Sequence, residues 1–368
     1  MKIENIFSYL VILALLFVSS LFTACNVNGP GIFYTIYNEK KISESLVSDK
    51  PVYKVVSAGS SLYVRAGAAV YKNDGTAWNK IDPPSAGMRA VSLGRIGSAI
   101  YAVYESEASG ALSDTIYTLS GTSWSKLSDT VPAVSAIDGS LNLSLITVDH
   151  DNNIFFINQR TGSGTYSFYS FDGSFHTLTS EDVSQPVISA AVSGVNYFLA
   201  ASNISGSSVL YTTNGSSTVT TVITTGFDTA KTIGGISEDA LNGNLYLSTR
   251  DGYLYKSSDA AGVDWGTGSL NSTALTDSYG TACLGDMAVV DYNGTDYLII
   301  AADNGYFEMD LTGTSPELPT VTAENFETYE LSQEAVFSLY TETDKIYIGS
   351  DNGLWLSEYS GGPALDKE

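Results

Sequence analysis

Asp149-His150-Asp151-Asn152-Asn153 sets side-chain oxygens at alternate positions, the Asp-x-Asp-x-Asn spacing that suits a hard cation such as calcium. The glycine and distal glutamate of a complete calcium loop are missing, and the run lies between two apolar stretches where Asp and Asn are ordinary turn formers. The turn reading is preferred, with Asp149, Asp151 and Asn153 kept as the weak calcium candidates and no other metal or cofactor expected. The two histidines, His150 and His176, give neither a His-x-x-x-His metal spacing nor a Ser-His-Asp order. Gripping a substrate carboxylate calls for converging arginines, and the chain has Arg65, Arg89, Arg95, Arg160 and Arg250. Arg65 and Arg250 fall near matching turn positions, but three converging arginines are not evident. The 40 acidic residues offer too many pairs to single out a general acid and base. No catalytic residue is assigned, and the chain is read as a non-enzyme.

The elements that must position these residues are short strands. Ile346-Tyr347-Ile348-Gly349-Ser350-Asp351-Asn352-Gly353-Leu354-Trp355 places two β-prone runs around Asp-Asn-Gly, whose glycine supplies the positive φ of a tight hairpin. Ile300-Ala301-Ala302-Asp303-Asn304-Gly305-Tyr306-Phe307 nearly repeats the phrase. Looser copies centre on Arg250-Asp251-Gly252 and on Arg65-Ala66-Gly67. The apolar or aromatic centres Tyr63, Tyr101, Phe155, Tyr197, Tyr246, Ile299 and Tyr347 recur at roughly 40–50 residues, the period of a β-propeller blade of four strands. The expected fold is all-β: a seven-bladed β-propeller, with an eighth blade built partly from 32–47 as the alternative. An N-terminal strand, Ile32-Phe33-Tyr34-Thr35-Ile36-Tyr37, would join the last blade and remove an open edge. Trp78, Trp124, Trp265 and Trp355 fall at repeated positions and read as core. No helical stretch is expected.

Composition agrees. Of 368 residues 43% are hydrophobic and only 15% charged, with 34 glycines and 24 tyrosines, as in a globular β protein. The net charge of −23 repels a phosphate backbone, so no nucleic-acid partner is expected.

Leu10-Val11-Ile12-Leu13-Ala14-Leu15-Leu16-Phe17-Val18 is an apolar core too short to span a bilayer, preceded by Lys2. It leads to Leu21-Phe22-Thr23-Ala24-Cys25, which resembles the lipobox of bacterial lipoproteins, in a looser form like that of spirochaetes. The resemblance implies cleavage between Ala24 and Cys25, a lipid on the Cys25 thiol, and a membrane partner held through that anchor at the cell envelope, at the outer membrane or cell surface. Domains follow: signal peptide 1–24, lipidated tether 25–31, propeller 32–360 and tail 361–368. The second cysteine, Cys283, precedes an apolar run and is expected to pack as a small buried hydrophobe.

The unit endings Asn73-Asp74-Gly75-Thr76-Ala77-Trp78 and Ser257-Ser258-Asp259-Ala260-Ala261-Gly262-Val263-Asp264-Trp265 resemble degenerate Asp-box (BNR) repeats, found in sialidases and in many non-enzymatic propellers. In that family the box is a structural turn. The functional expectation is a lipid-anchored binding or scaffold protein, with a protein or glycan ligand of unknown identity on a loop-bearing face. The insertions 105–114, 158–165 and 257–275 are the candidate contact surface. The alternatives are a sialidase-like envelope glycan hydrolase and a structural subunit of an envelope complex.

Overall fold

The computed structural model describes residues 40–42 and 47–358, with breaks at 109–110, 141, 150, 163, 184, 203–207, 217, 223–230, 240–242, 258–264, 266–269, 271–281, 293–294, 312–330, 332–333 and 343–344. The signal, Ala24, Cys25, the tether, the 32–37 strand and the tail lie outside the described residues, as does most of the Asp-box candidate at 257–265.

Small antiparallel sheets follow one another along the chain. In the first, Val52–Ala58, Ser61–Ala66, Ala69–Asn73 and Trp78–Ile81 are neighbours in sequence order. The next are Arg89–Ile96, Ala99–Ala108, Ala111–Ser120 and Ser123–Lys126, then Leu143–Asp149, Asp151–Arg160, Tyr166–Phe171 and Phe175–Val183. Val187–Ser193, Asn196–Ser202, Ser208–Thr213 and Thr220–Thr221 repeat the order. Ile233–Asp239, Asn244–Thr249 and Leu254–Lys256 form the next sheet, and Cys283–Tyr292, Thr295–Ala302 and Tyr306–Asp310 the one after. The last holds Val336–Glu342, Lys345–Ser350 and Gly353–Glu358.

An N-terminal strand closes that last sheet. Lys40–Lys41 pairs antiparallel with its outer strand, Lys40 opposite Leu356 and Lys41 opposite Trp355, and Ile42 N donates to Leu354 O at 2.9 Å. Lys40–Lys41 is the described part of this pairing, and the strand expected at 32–37 lies outside the described residues.

The core lies between sheets. Val56, Tyr63 and Val70 of the first sheet pack on Leu93, Ile100 and Tyr104 of the second. Tyr101 of the second meets Phe155 of the third in a tilted contact at 5.2 Å and Phe171 edge-on at 5.6 Å. The series continues round to Val52, Leu62 and Val64, which meet Leu354 of the last sheet. A middle strand therefore buries both faces, and Ser61–Ala66 accordingly is buried at every position but Arg65, without alternation. The first and last sheets meet tightly: a Cβ added at Gly349 would lie 2.5 Å from Val52 O.

Hydroxyls fasten neighbouring innermost strands. Ser338 Oγ accepts from Val55 N at 3.1 Å, Ser92 Oγ from Leu145 N at 3.0 Å, and Ser189 Oγ from Ile236 N at 3.3 Å. The third and fourth innermost strands pair directly and in parallel, Val148 opposite Ala190.

Several expectations are corrected. A short helix, Leu127–Thr130, and a 3-10 turn, Pro132–Ala136, occur where no helix was expected. Pro132 presets the turn, and buried Leu127 and Val134 anchor it on the core between the second and third sheets. The insertion 105–114 is mostly strand, with Glu105 opposite Asp114 and Glu107 opposite Leu112. Within 158–165, Asn158 to Arg160 continue a strand, and only the turn closed by Thr161 N donating to Thr165 O at 2.8 Å is loop. Most of 257–275 lies outside the described residues.

Candidate functional site

Five of the innermost strands share a defect near their start. Register slips by one residue between Val52 and Lys54, Ala90 and Ser92, Val187 and Ser189, Ile233 and Gly235, and Val336 and Ser338. The residues left over are Tyr53, Val91, Ile188, Gly234 and Phe337. A β-bulge re-aims a side chain, and all of these line one central cavity of about 770 Å3. A cavity of that size is in the range that takes a small ligand.

Tyr53 and Phe337 stack at 5.1 Å with an interplanar angle of 25°. The Arg65 guanidinium lies 4.1 Å from the Tyr53 ring centroid, so cation, ring and ring form one layered wall. Arg65 Nη1 donates to Gly67 O at 3.3 Å and to Ala90 O at 3.4 Å, both long. Burial pulls the Arg65 pKa down to about 10. Lys54 Nζ sits 3.5 Å from Asp286 Oδ2, which also accepts from Leu339 N at 2.8 Å. Deeper in the cavity, Arg95 donates to Ser57 O and stands 5.7 Å from the Tyr340 ring, and burial again lowers its pKa. Arg250, exposed, lines the rim.

The cavity therefore gathers Arg65, Arg95 and Arg250, a convergence that strand spacing did not reveal. Arg65 and Arg250 were placed at matching hairpin turns; Arg95 comes from an innermost strand. Arg89 instead pairs with Glu105, and Arg160 does not line the cavity. The bulged aromatics Tyr53 and Phe337 were missed. Their signal is a broken alternation: Val52-Tyr53-Lys54-Val55 puts two non-core residues in succession on a strand otherwise facing the core.

The other candidates fall elsewhere. Asp149 ends one strand and Asp151 begins the next, with Val148 opposite Asp151 in an irregular register, so this run is a hairpin turn. The side chains of Asp149 and Asp151 lie outside the described residues, and Asn153 is exposed. His176 Nε2 stands 3.3 Å from Asp172 Oδ1 on an outer strand. Cys283 is fully buried with a free thiol, which burial pushes up to about 12. Of the endings, Asp74 Oδ1 accepts from Thr76 N at 3.1 Å, and Asp172 and Asn214 make the same turn in the third and fourth sheets.

A carboxyl group missed by sequence reading sits at the turn end of the sixth sheet. Asp296 is 5% exposed, with Oδ1 lacking a hydrogen-bond partner. Burial, then the neighbouring Asp239 and Asp291, raise its pKa to about 6.

The sequence matches the TP013X lipoprotein family over residues 2–335. No curated protein matches it. Solved structures share the fold at low identity. The extracellular domain of a putative hybrid two-component system from B. thetaiotaomicron superposes with a TM-score of 0.60 at 11% identity, covering 89% of this chain and 40% of that one. This chain thus spans less than half of that protein. Catalytically inactive virginiamycin B lyase from Staphylococcus aureus, crystallised with quinupristin, gives a TM-score of 0.56 at 9% identity, covering 87% of this chain and 98% of that one. The described strands and these neighbours make the chain all-β and propeller-like.

Proposed function

This chain belongs to the TP013X lipoprotein family and is a lipid-anchored envelope protein, and we propose that it is a binding protein whose ligand seat is the bulge-lined mouth of the central cavity. In this reading the fold is a seven-bladed propeller, closed through Lys40–Lys41 and tethered by acylated Cys25 at the outer membrane or cell surface. The turns at Asp74, Asp172 and Asn214 are its degenerate Asp-box endings, with no role in binding.

One observation carries the proposal. Four innermost strands each carry a bulge that aims Tyr53, Val91, Ile188 or Phe337 into one cavity, at a cost in ladder hydrogen bonds that packing alone does not require. Exposed aromatics with an amphipathic neighbour such as Arg65 are the usual makings of a ligand wall. Tyr53 is 38% and Ile188 39% exposed, so the wall is open to solvent.

The same cavity supports binding over glycan hydrolysis. Glycoside hydrolysis ordinarily employs two carboxylates across the bond, and among the described residues Asp286 alone represents them in the lining, already held by Lys54 and Leu339 N. An array of glycans and of host and envelope proteins, probed with the full acylated chain in detergent, tests the proposal. Retention of a defined ligand is expected; turnover of an arrayed glycan without stable retention would overturn it in favour of the hydrolase.

A further inference from the structure

The chain carries 40 acidic residues against 17 basic ones. Among the described residues the cavity reverses that balance: Lys54, Arg65, Arg95 and Arg250 line it against Asp286 alone. Only Lys54 meets that acid. Among the described residues no carboxylate lies within ion-pair distance of Arg65, Arg95 or Arg250, although acids are more than twice as numerous in the chain as bases.

An arginine withdrawn from water without a counter-charge is costly, and natural folds pair such groups or use them. Arg65 is held firmly but weakly satisfied. Stacking on Tyr53 fixes the plane of its fork, while its two hydrogen bonds are both at 3.3 Å or longer. A planar, pre-oriented fork with spare N–H donors fits a bidentate anion. Beside its Tyr53 partner stands the apolar face of Phe337, and Ile188 lines the same cavity.

We infer that the cavity takes an amphipathic carboxylate, its carboxylate on the Arg65 fork and its apolar body against Tyr53, Phe337 and Ile188. This deepens the proposed function and rests on the cavity mouth being the ligand seat. A carboxylate suits the site better than a phosphate. The second cation at that depth, Lys54, is already met by Asp286, so a dianion would bring in a charge that the wall does not match. Two sources share this chemistry: a free organic acid, or the C-terminal residue of a peptide.

Calorimetric titration of the full chain in detergent micelles tests the inference with paired probes. These are 3-phenylpropionate and its amide, the tripeptide Ala-Ala-Phe and its C-terminal amide, and inorganic phosphate. At least one acid is expected to bind about tenfold tighter than its amide, the worth of one charge-assisted fork. Arg65→Gln should erase that difference, and Arg65→Lys should restore it only in part. Tighter binding by the tripeptide assigns a peptide terminus, and tighter binding by the free acid a small metabolite; both uphold the inference. Equal binding of acid and amide, no binding by either acid, or displacement of the acids by equimolar phosphate would overturn it. Unchanged melting temperatures for both Arg65 variants guard against a folding artefact. The two levels also separate on an array-identified ligand. Loss with Tyr53→Ala but not with Arg65→Gln would sink the carboxylate alone, whereas retention in both variants would sink the ligand seat as well.

Discussion

At the scale of single residues, chemistry came from positions that looked structural in the sequence. Asp351-Asn352-Gly353 resembles a ligand loop, yet Gly353 has a φ of 131° and the three residues form a hairpin turn. Asn352 Nδ2 donates to Glu334 Oε1 at 2.9 Å, and Trp355 Nε1 to Glu334 Oε2 at 2.9 Å, so the turn braces a buried carboxylate. Arg65 was legible as a turn residue but not as a half-buried cation, because its environment is set by Tyr53 and Ala90, 12 and 25 positions away in sequence. Asp296 is a carboxyl whose titration bears on stability. Its folded pKa, about 6, stands above the ordinary 3.8, so the fold favours its protonated form. That contribution is complete below pH 4 and is lost as pH rises through 6. Asp296→Asn should therefore raise the melting temperature at pH 7.5 and leave it nearly unchanged at pH 4. Equal shifts at both pH values would show that the carboxyl is not held protonated.

At the scale of elements, the hairpins were legible and the registers were not. Period-2 patterning and Asx-Gly turns announce strands locally. The one-residue slip in Val52–Ala58 leaves a local trace, Tyr53 and Lys54 both off the core in succession, but the trace does not give the register, which depends on the strand alongside. The long hairpin spanning 105–114 was misread for a related reason: Ser106, Glu107 and Ser113 are polar because the arm is partly exposed, not because it is loop. The helix Leu127–Thr130 has one turn and too few residues to show a period. Close contact between strands makes its own prediction. Gly349 faces Val52 O at 2.5 Å and Val52 Cγ1 at 2.9 Å from its would-be Cβ, across the junction of the first and last sheets. Gly349→Ala should cost about 1–3 kcal/mol in denaturant unfolding, an overpacking penalty. A change under about 0.5 kcal/mol would mean that the junction is looser than described.

At the scale of the whole molecule, repetition made the architecture readable: each sheet lacks a core of its own and must bury both faces on neighbours, as the clusters joining successive sheets do. The address was readable too, from Leu21-Phe22-Thr23-Ala24-Cys25, and the family match agrees with it. Growth with radioactive palmitate should label the wild-type chain and not Cys25→Ala, and equal labelling would contradict anchoring at that thiol. The ligand seat was not readable, because it exists only where innermost strands from opposite ends of the chain converge. Sequence pointed instead to the insertions 105–114, 158–165 and 257–275, and in the first of them Leu112 is 42% exposed. The most direct test sets these two surfaces against each other, by measuring the dissociation constant of an array-identified ligand for the wild type, Phe337→Ala and Leu112→Ala. The account predicts a loss of about tenfold or more for Phe337→Ala and none for Leu112→Ala, as expected of a central aromatic anchor. The reverse result, with Leu112→Ala weakened and Phe337→Ala unchanged, would contradict it.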